Sequence, residues 1–273
     1  MKRTIFPLVL SLLFCLLFYG CSQEVIAVGP KTELTASSEK ILNVSQALNL
    51  SVNCDYANIE FYSWDKKNIK FEITKFVRGL RTNQKLKNEL DNIKTGVVQD
   101  GANISFTSVC SGNIKSPSDT GINLIVYLPK KIDALYYKLD TGSVKFHDDI
   151  ACKQLKANVS AVNTEIKGFK GAINFTGDAA NLRIENGRIA GNSSVKINMG
   201  NLYVTASYSE GSSYTFETEM GVIELTAPEA SQISFETQGS VDINEFAGAS
   251  YPTVIKVVNS MGRITIRKSF LST

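Results

Sequence analysis

From about residue 40 onward, apolar and polar side chains alternate with the two-residue period of half-buried strands. Leu48, Leu50 and Val52 share one face, Ile59 and Phe61 another, then Ile69, Phe71 and Ile73, then Ile104 and Phe106, then the run Ile122, Leu124, Val126 and Leu128 before Pro129. One stretch changes period. Leu86, Leu90, Ile93 and Val97 recur at helical spacing, with Gly96 near the expected stop, which predicts a short amphipathic helix over 82–95; the alternative is a polar loop.

Beyond residue 130 the alternation becomes a repeat: a short strand, a tight turn usually made by glycine, then two apolar residues two apart. It reads TGSVKF at Gly142, MGNLYV at Gly200, MGVIEL at Gly221, QGSVDI at Gly239 and MGRITI at Gly262, with weaker copies NTEIKG at Thr164 and AANLRI at Ala180. Successive copies start 22, 16, 20, 21, 18 and 23 residues apart. The apolar pairs are Val144/Phe146, Leu182/Ile184, Leu202/Val204, Ile223/Leu225, Val241/Ile243 and Ile264/Ile266; the Thr164 copy offers Ile166 followed by Gly168.

A unit of this length cannot bury its own apolar side chains, so neighbouring units must stack to build a core. The recurrent glycine marks a corner where a Cβ would clash or a positive φ is needed. The expected fold is all-β: a single-stranded β-helix, or β-solenoid, of about seven coils over 131–268, preceded by a strand-rich part at 39–130 that carries the short helix, and followed by a tail at 269–273. An immunoglobulin-like sandwich would have turns every 8 to 12 residues without a shared unit. A leucine-rich repeat would need L-x-x-L-x-L and a helical return, and neither is present.

These residues resemble a known family: bacterial lipoproteins and envelope proteins that carry an adhesin-type domain of β-strand repeats, catalogued as a domain of unknown function. The likeness rests on INLIVYLPKK at 122–131 and on the TGSVKF, QGSVDI and MGRITI units, and spans roughly 40–268. It implies a single-stranded β-helix with a strand-rich N-terminal part and no known enzyme activity.

The N-terminus adds an address. Lys2 and Arg3 precede an apolar stretch from Ile5 to Tyr19 and then Gly20-Cys21, the layout of a secretory signal over 1–20. A retained membrane span is the alternative. The Gly20-Cys21 junction resembles the lipobox of bacterial prolipoproteins, with Phe18 and Tyr19 where a leucine and a small residue are usual. The expectation is a lipid-carrying Cys21, a tether over 21–38 and a protein held at the cell envelope by its acyl chains, facing outside the cytoplasm. Of 29 basic side chains two leave with the leader, against 26 acidic ones, so the mature chain has no electrostatic footprint for nucleic acid. Cys54, Cys110 and Cys152 then remain, without the spacing or histidines of a zinc site; one disulfide is permitted, and three small buried side chains are the alternative.

Candidate chemistry is sparse, and no cofactor or metal is implied. No nucleophile elbow, phosphate loop or zinc-protease motif occurs. His147, the single histidine, stands beside Asp148 and Asp149 where a surface turn is expected. Glu217 and Glu219 lie two apart on one strand; such a pair could serve a glycan-cleaving β-helix, though most such pairs are solvated. The residue between the two inward positions of each coil must point outward. In order these are Lys145, Lys167, Arg183, Tyr203, Glu224, Asp242 and Thr265, a column running from basic to acidic with an aromatic between. It is either a solvated face or a docking surface for a glycan or an envelope protein. The leading expectation is therefore a non-enzymatic binding or scaffolding module; a partner of a membrane signalling protein and a polysaccharide-active enzyme are the alternatives.

Overall fold

The computed structural model describes residues 31–44, 47–111 and 119–269. The leader, Cys21 and the residues that follow it to 30 lie outside the described residues, as do 270–273.

The strands are β1 Thr32–Asn43, β2 Asn49–Trp64, β3 Asn68–Gly79, β4 Ile93–Asp100, β5 Asn103–Cys110, β6 Thr120–Pro129, β7 Lys131–Phe146, β8 Ile150–Lys167, β9 Phe169–Ala179 and β10 Asn181–Ile189. They continue as β11 Ser193–Met199, β12 Leu202–Tyr208, β13 Tyr214–Pro228, β14 Ile233–Gln238, β15 Val241–Asn244 and β16 Thr253–Ser269. One helix, α1, spans Asn83–Asp91. The chain is thus all-β with a single helix among the described residues, and one sheet joins all the strands.

Most of the pairing is parallel and follows the repeat. Val144 lies opposite Thr164, Thr164 opposite Leu182, Leu182 opposite Leu202, and Leu202 opposite Ile223. Each inward residue therefore rests on its counterpart one repeat away, and Leu182, Leu202, Ile223, Ile264 and Ile266 are fully buried. The glycine corners stack as well. Gly221 has φ +140°, and a Cβ added there would lie 1.8 Å from the Gly200 carbonyl oxygen; the same holds for Gly262 over Gly221. No side chain fits where the rungs approach this closely.

Three boundaries differ from the sequence reading. Thr32 to Ser38, expected within the tether, belong to β1, which pairs antiparallel with β3 along its whole length. The helix stops at Asp91 instead of reaching 95, because Ile93 and Val97 are drawn into β4 by antiparallel pairing with β5; only Leu86 and Leu90 pack beneath α1. At the expected boundary near 130 the sheet does not break: β2 runs in parallel register with β7, placing Ile59 on Val144 and Phe61 on Phe146. The aromatic pair stacks with ring centroids 4.6 Å apart.

The last two repeats are also exchanged in space. β16 lies between β13 and β14, with Ile223 opposite Ile264 on one side and Phe235 opposite Ile255 on the other. The unit at Gly239 is therefore outermost, although Gly262 follows it in the chain. The cause is hydrophobic: Ile255, Val257, Ile264 and Ile266 of β16 are fully buried, whereas Val241 is 39 % exposed and Ile243 only half-buried. The expectation that Val241 and Ile243 are core residues thus fails, since no further rung covers them.

Ile264→Ala should cost about 2 to 5 kcal/mol, while Val241→Ala should cost below about 1 kcal/mol. Gly221→Ala should cost more than about 1 kcal/mol, because its conformation and its space both exclude a methyl group. Chemical denaturation of the three variants checks the order of the rungs directly.

Candidate functional site

Parallel register turns each outward position into a column. The expected face forms in part: Lys145 lies opposite Glu165, Glu165 opposite Arg183, Arg183 opposite Tyr203, Tyr203 opposite Glu224, and Glu224 opposite Thr265. Lys167 is not a member; it lies two positions further along, opposite Glu185. The slip arises because Thr164, and not Ile166, takes the first inward site, where it is buried beneath the Tyr137 hydroxyl at 3.5 Å. Asp242 sits on the outermost rung, beyond Thr265, beside a shift in register.

With Glu165 in place and Glu60 paired to Lys145, the column alternates in sign instead of grading from basic to acidic. Lys145 Nζ reaches Glu165 Oε2 at 3.4 Å, and the Arg183 guanidinium covers the Tyr203 ring at 4.5 Å. Arg263 lies 4.0 Å from Asp242. Such exposed contacts each contribute below about 1 kcal/mol. They nevertheless occupy the groups that a ligand would need, and the ring face of Tyr203 is covered.

A second outward row lies beside it on β2, β6 and the turn that follows β7. His147 stacks on Tyr62 at 4.3 Å, Tyr62 on Tyr127 at 5.5 Å, and Tyr127 on Trp64 at 5.2 Å. Lys66 caps the Trp64 ring at 4.6 Å. Glu60 Oε2 accepts from the Tyr62 hydroxyl at 2.8 Å and meets His147 Nε2 at 2.7 Å, while Asp148 accepts from the Ser63 amide at 2.9 Å. The histidine is thus a stacked, hydrogen-bonded member of the wall. The rings cover one another, so the row presents edges and not open faces. Its partners come from β2, β6 and the turn after β7, which no single run of sequence reveals.

A third row had a sequence signal that reading by apolar pairs passed over: the polar residue just before each pair. Asn58 Nδ2 donates to Asn123 Oδ1 at 3.0 Å, and the Ser143 hydroxyl donates to Asn58 Oδ1 at 2.9 Å. Asn181 Nδ2 donates to Asn163 Oδ1 at 2.7 Å, Asn201 Nδ2 to Asn181 Oδ1 at 3.2 Å, and the Val222 amide to Asn201 Oδ1 at 3.0 Å. The amide side chains extend the backbone ladder beside the glycine corner.

The open chemistry lies elsewhere. Between Ile184 and Gly187 the ladder with β12 slips by one residue, and Asn186 takes a positive φ of 52°. Gly187 fits there because an added Cβ would press on Ile184 at 3.0 Å and Ala206 at 3.2 Å. The wall dips at this bulge, leaving a groove of about 790 Å³ that includes Lys170, Asn186, Arg188, Thr205, Ser207 and Ser209 in its lining. Tyr208 also lines it, but its ring packs edge-on against Tyr214 at 5.1 Å and its hydroxyl is buried without a hydrogen-bond partner. Burial pushes that phenol well above its ordinary pKa.

Residues 47–266 match the family Toastrack DUF4097, a span that includes the aromatic row, the asparagine row and all of the groove lining but Ser269. The chain belongs to this family. The Toastrack match leaves β1 outside it. Among solved structures, a candidate cell adhesion protein from Clostridium sporogenes ATCC 15579 is similar at 15 % identity over 86 % of this chain and 100 % of its own, with a TM-score of 0.37. A candidate adhesin from Bacteroides fragilis NCTC 9343 shares 12 % identity over 86 % and 97 %, with a TM-score of 0.39. Another from Parabacteroides distasonis ATCC 8503 shares 12 % over the same shares of the two chains, with a TM-score of 0.40. No curated protein matches this Toastrack chain.

Glu217 is engaged by Lys196 at 3.2 Å, and neither it nor Glu219 lines the groove. Cys54, Cys110 and Cys152 are free thiols. Burial raises Cys110 and Cys152 to about 11 and Cys54 further, so all three stay protonated at neutral pH. An alkylating reagent at pH 7 should leave Cys54 and Cys152 unmodified until the protein unfolds.

The hydrogen bond to Glu60, followed by burial, raises Tyr62 to about 12. Because folding raises this pKa, the associated stabilisation is complete below pH about 10 and is lost as pH rises through about 12. Ultraviolet titration should show one tyrosine ionising near pH 12, and Glu60→Gln should bring it back toward about 10.

Proposed function

We propose that this chain is a non-enzymatic binding module of the bacterial cell envelope that takes a saccharide in the groove between Lys170 and Ser209. The observation that carries this reading is the contrast along the outer wall. In the Lys145 column and the Tyr62 row, Lys145 pairs with Glu165, Arg183 covers Tyr203 and the rings stack on one another, whereas the groove offers two cations, hydroxyls, an amide and the Glu210 carboxylate to an incoming molecule. A concave site with convergent polar groups is the usual setting for a ligand.

The scaffold is read as a single-stranded β-solenoid. Its support is the parallel register of one repeat on the next from β7 through β13, with β16 and then β14 and β15 completing the stack. β2, and β5 with β6, add two further rungs at the N-terminal side. The stack suits a binding role because Lys170, Arg188, Thr205 and Ser207 sit on strands paired in register with their neighbours. The signal at 1–20 and Gly20-Cys21 supply the anchor in this reading, so the groove would be carried outside the cytoplasm on a lipid.

Ser207→Trp should fill the groove and abolish binding on a glycan array while the melting temperature stays close to that of the parent; retained binding would remove the groove from consideration. Separately, Cys21→Ser should end incorporation of labelled fatty acid, and continued labelling would overturn the anchor.

A further inference from the structure

We propose that the groove is one end of a lane for an acidic polysaccharide, whose carboxylates seat on Arg188, Lys170 and Lys131; this rests on the saccharide reading of the groove. The lane follows from register. Lys131 lies opposite Ala151, Ala151 opposite Lys170, Lys170 opposite Arg188, and Arg188 opposite Ser207. Adjacent rungs are about 4.8 Å apart, so Lys170 and Arg188 stand roughly one strand spacing from each other, and Lys131 stands roughly two from Lys170.

In this row two cations stand directly opposite each other. Several other cations of the stack meet a carboxylate across or beside their rung: Lys145 with Glu165, Lys153 with Asp133, Lys196 with Glu217, and Lys268 with Glu229. Lys131, Lys170 and Arg188 are exposed, and none forms an ion pair among the described residues. Like charges placed directly opposite one another oppose strand pairing. Lys170 and Arg188 bear this cost with no carboxylate of the described residues in ion-pair contact, so the compensating anion is assigned to the ligand.

The neighbouring groups describe the rest of that ligand. Ala151 leaves a gap between the cations for a sugar ring. Past Arg188 the lane turns neutral, and Thr205, Ser207 and Ser209 offer hydroxyls with the Asn186 amide beside them. Glu210 lines the groove too, so the charged stretch of the chain points toward Lys131 and its neutral stretch toward the serines. Single-stranded nucleic acid, the other abundant polyanion, holds to proteins by stacking bases on exposed rings. Tyr208 supplies the one aromatic ring in the groove lining, and it packs against Tyr214 inside the wall.

The test titrates the mature protein with polygalacturonate, with dextran as the neutral polymer and an oligothymidylate as the alternative polyanion. Polygalacturonate should bind, dextran at least tenfold more weakly, and rising salt should weaken binding. Lys170→Gln with Arg188→Gln should lower affinity at least tenfold and flatten the salt dependence, and Lys131→Gln should do so to a smaller extent, with melting temperatures unchanged or raised. Dextran binding as tightly as polygalacturonate would overturn the acidic ligand and leave the groove standing. Polygalacturonate binding that survives both Ser207→Trp and the double glutamine variant would overturn the groove itself. Loss in Ser207→Trp alone, with the glutamine variants unaffected, would remove the cations from the site. Oligothymidylate binding of equal strength and dependence, or no polygalacturonate binding at all, would overturn the proposal.

Discussion

Everything in this structure depends on how closely one rung lies on the next at the glycine corner. The carbonyl of Gly200 occupies the place where a Cβ of residue 221 would stand, and the carbonyl of Gly221 does the same beneath residue 262. Backbone at that distance holds successive repeats in parallel register, so equivalent side chains come to rest on each other inside and outside the wall. Inside, the result is a continuous apolar core from Leu48 to Ile266. Outside, any residue type placed at one position becomes the neighbour of the same position one repeat away.

That rule has an electrostatic consequence. A sheet whose outer positions are stacked in columns must alternate charge, stack rings, share amides, or accept repulsion. This chain uses the first three on one wall: Glu60, Lys145 and Glu165 alternate, Tyr62 and Tyr127 stack with His147, and Asn163, Asn181 and Asn201 hand hydrogen bonds along. Lys170 over Arg188 is the departure, and it coincides with the bulge at Asn186 that opens the groove. A defect in the ladder and an uncompensated pair of charges at one place are two independent reasons to look there for a ligand.

The two ends of the stack are handled differently. At one end antiparallel β3 and β1 extend the sheet past β6, β4 covers the edge of β5, and α1 lies against β1 and β3. At the other, the polar repeat of β14 and β15 is placed outermost, with Phe246 folded beneath it as a partial cover and Phe235 against its ring at 5.4 Å. β16, which buries more apolar side chains than β14 and β15, is thereby kept within the stack. The exchange of the last two repeats is therefore a capping solution, reached because a terminal rung needs only one apolar face and β14 has little more than that.

The alternation of Ile223 with Leu225, the glycine before each pair and the interval near twenty residues were enough, in the sequence alone, to give most of the strands and, Val241 and Ile243 apart, the inward pairs and the stacking of one unit on another. These are local properties: a strand's period and a corner's conformation are written in the residues that form them. Tertiary structure decided what depends on which unit meets which. The order of the rungs at Gly239 and Gly262 turns on comparing the burial of two whole strands. The seat of Thr164 turns on the core around Tyr137, and with it goes the exchange of Lys167 for Glu165 in the outer column. The groove turns on a one-residue slip between β10 and β12, and the cationic lane on register carried across four strands. A slip of one residue exchanges faces and a slip of two exchanges columns, so residues that read as scattered along the chain became neighbours only once the rungs were in place.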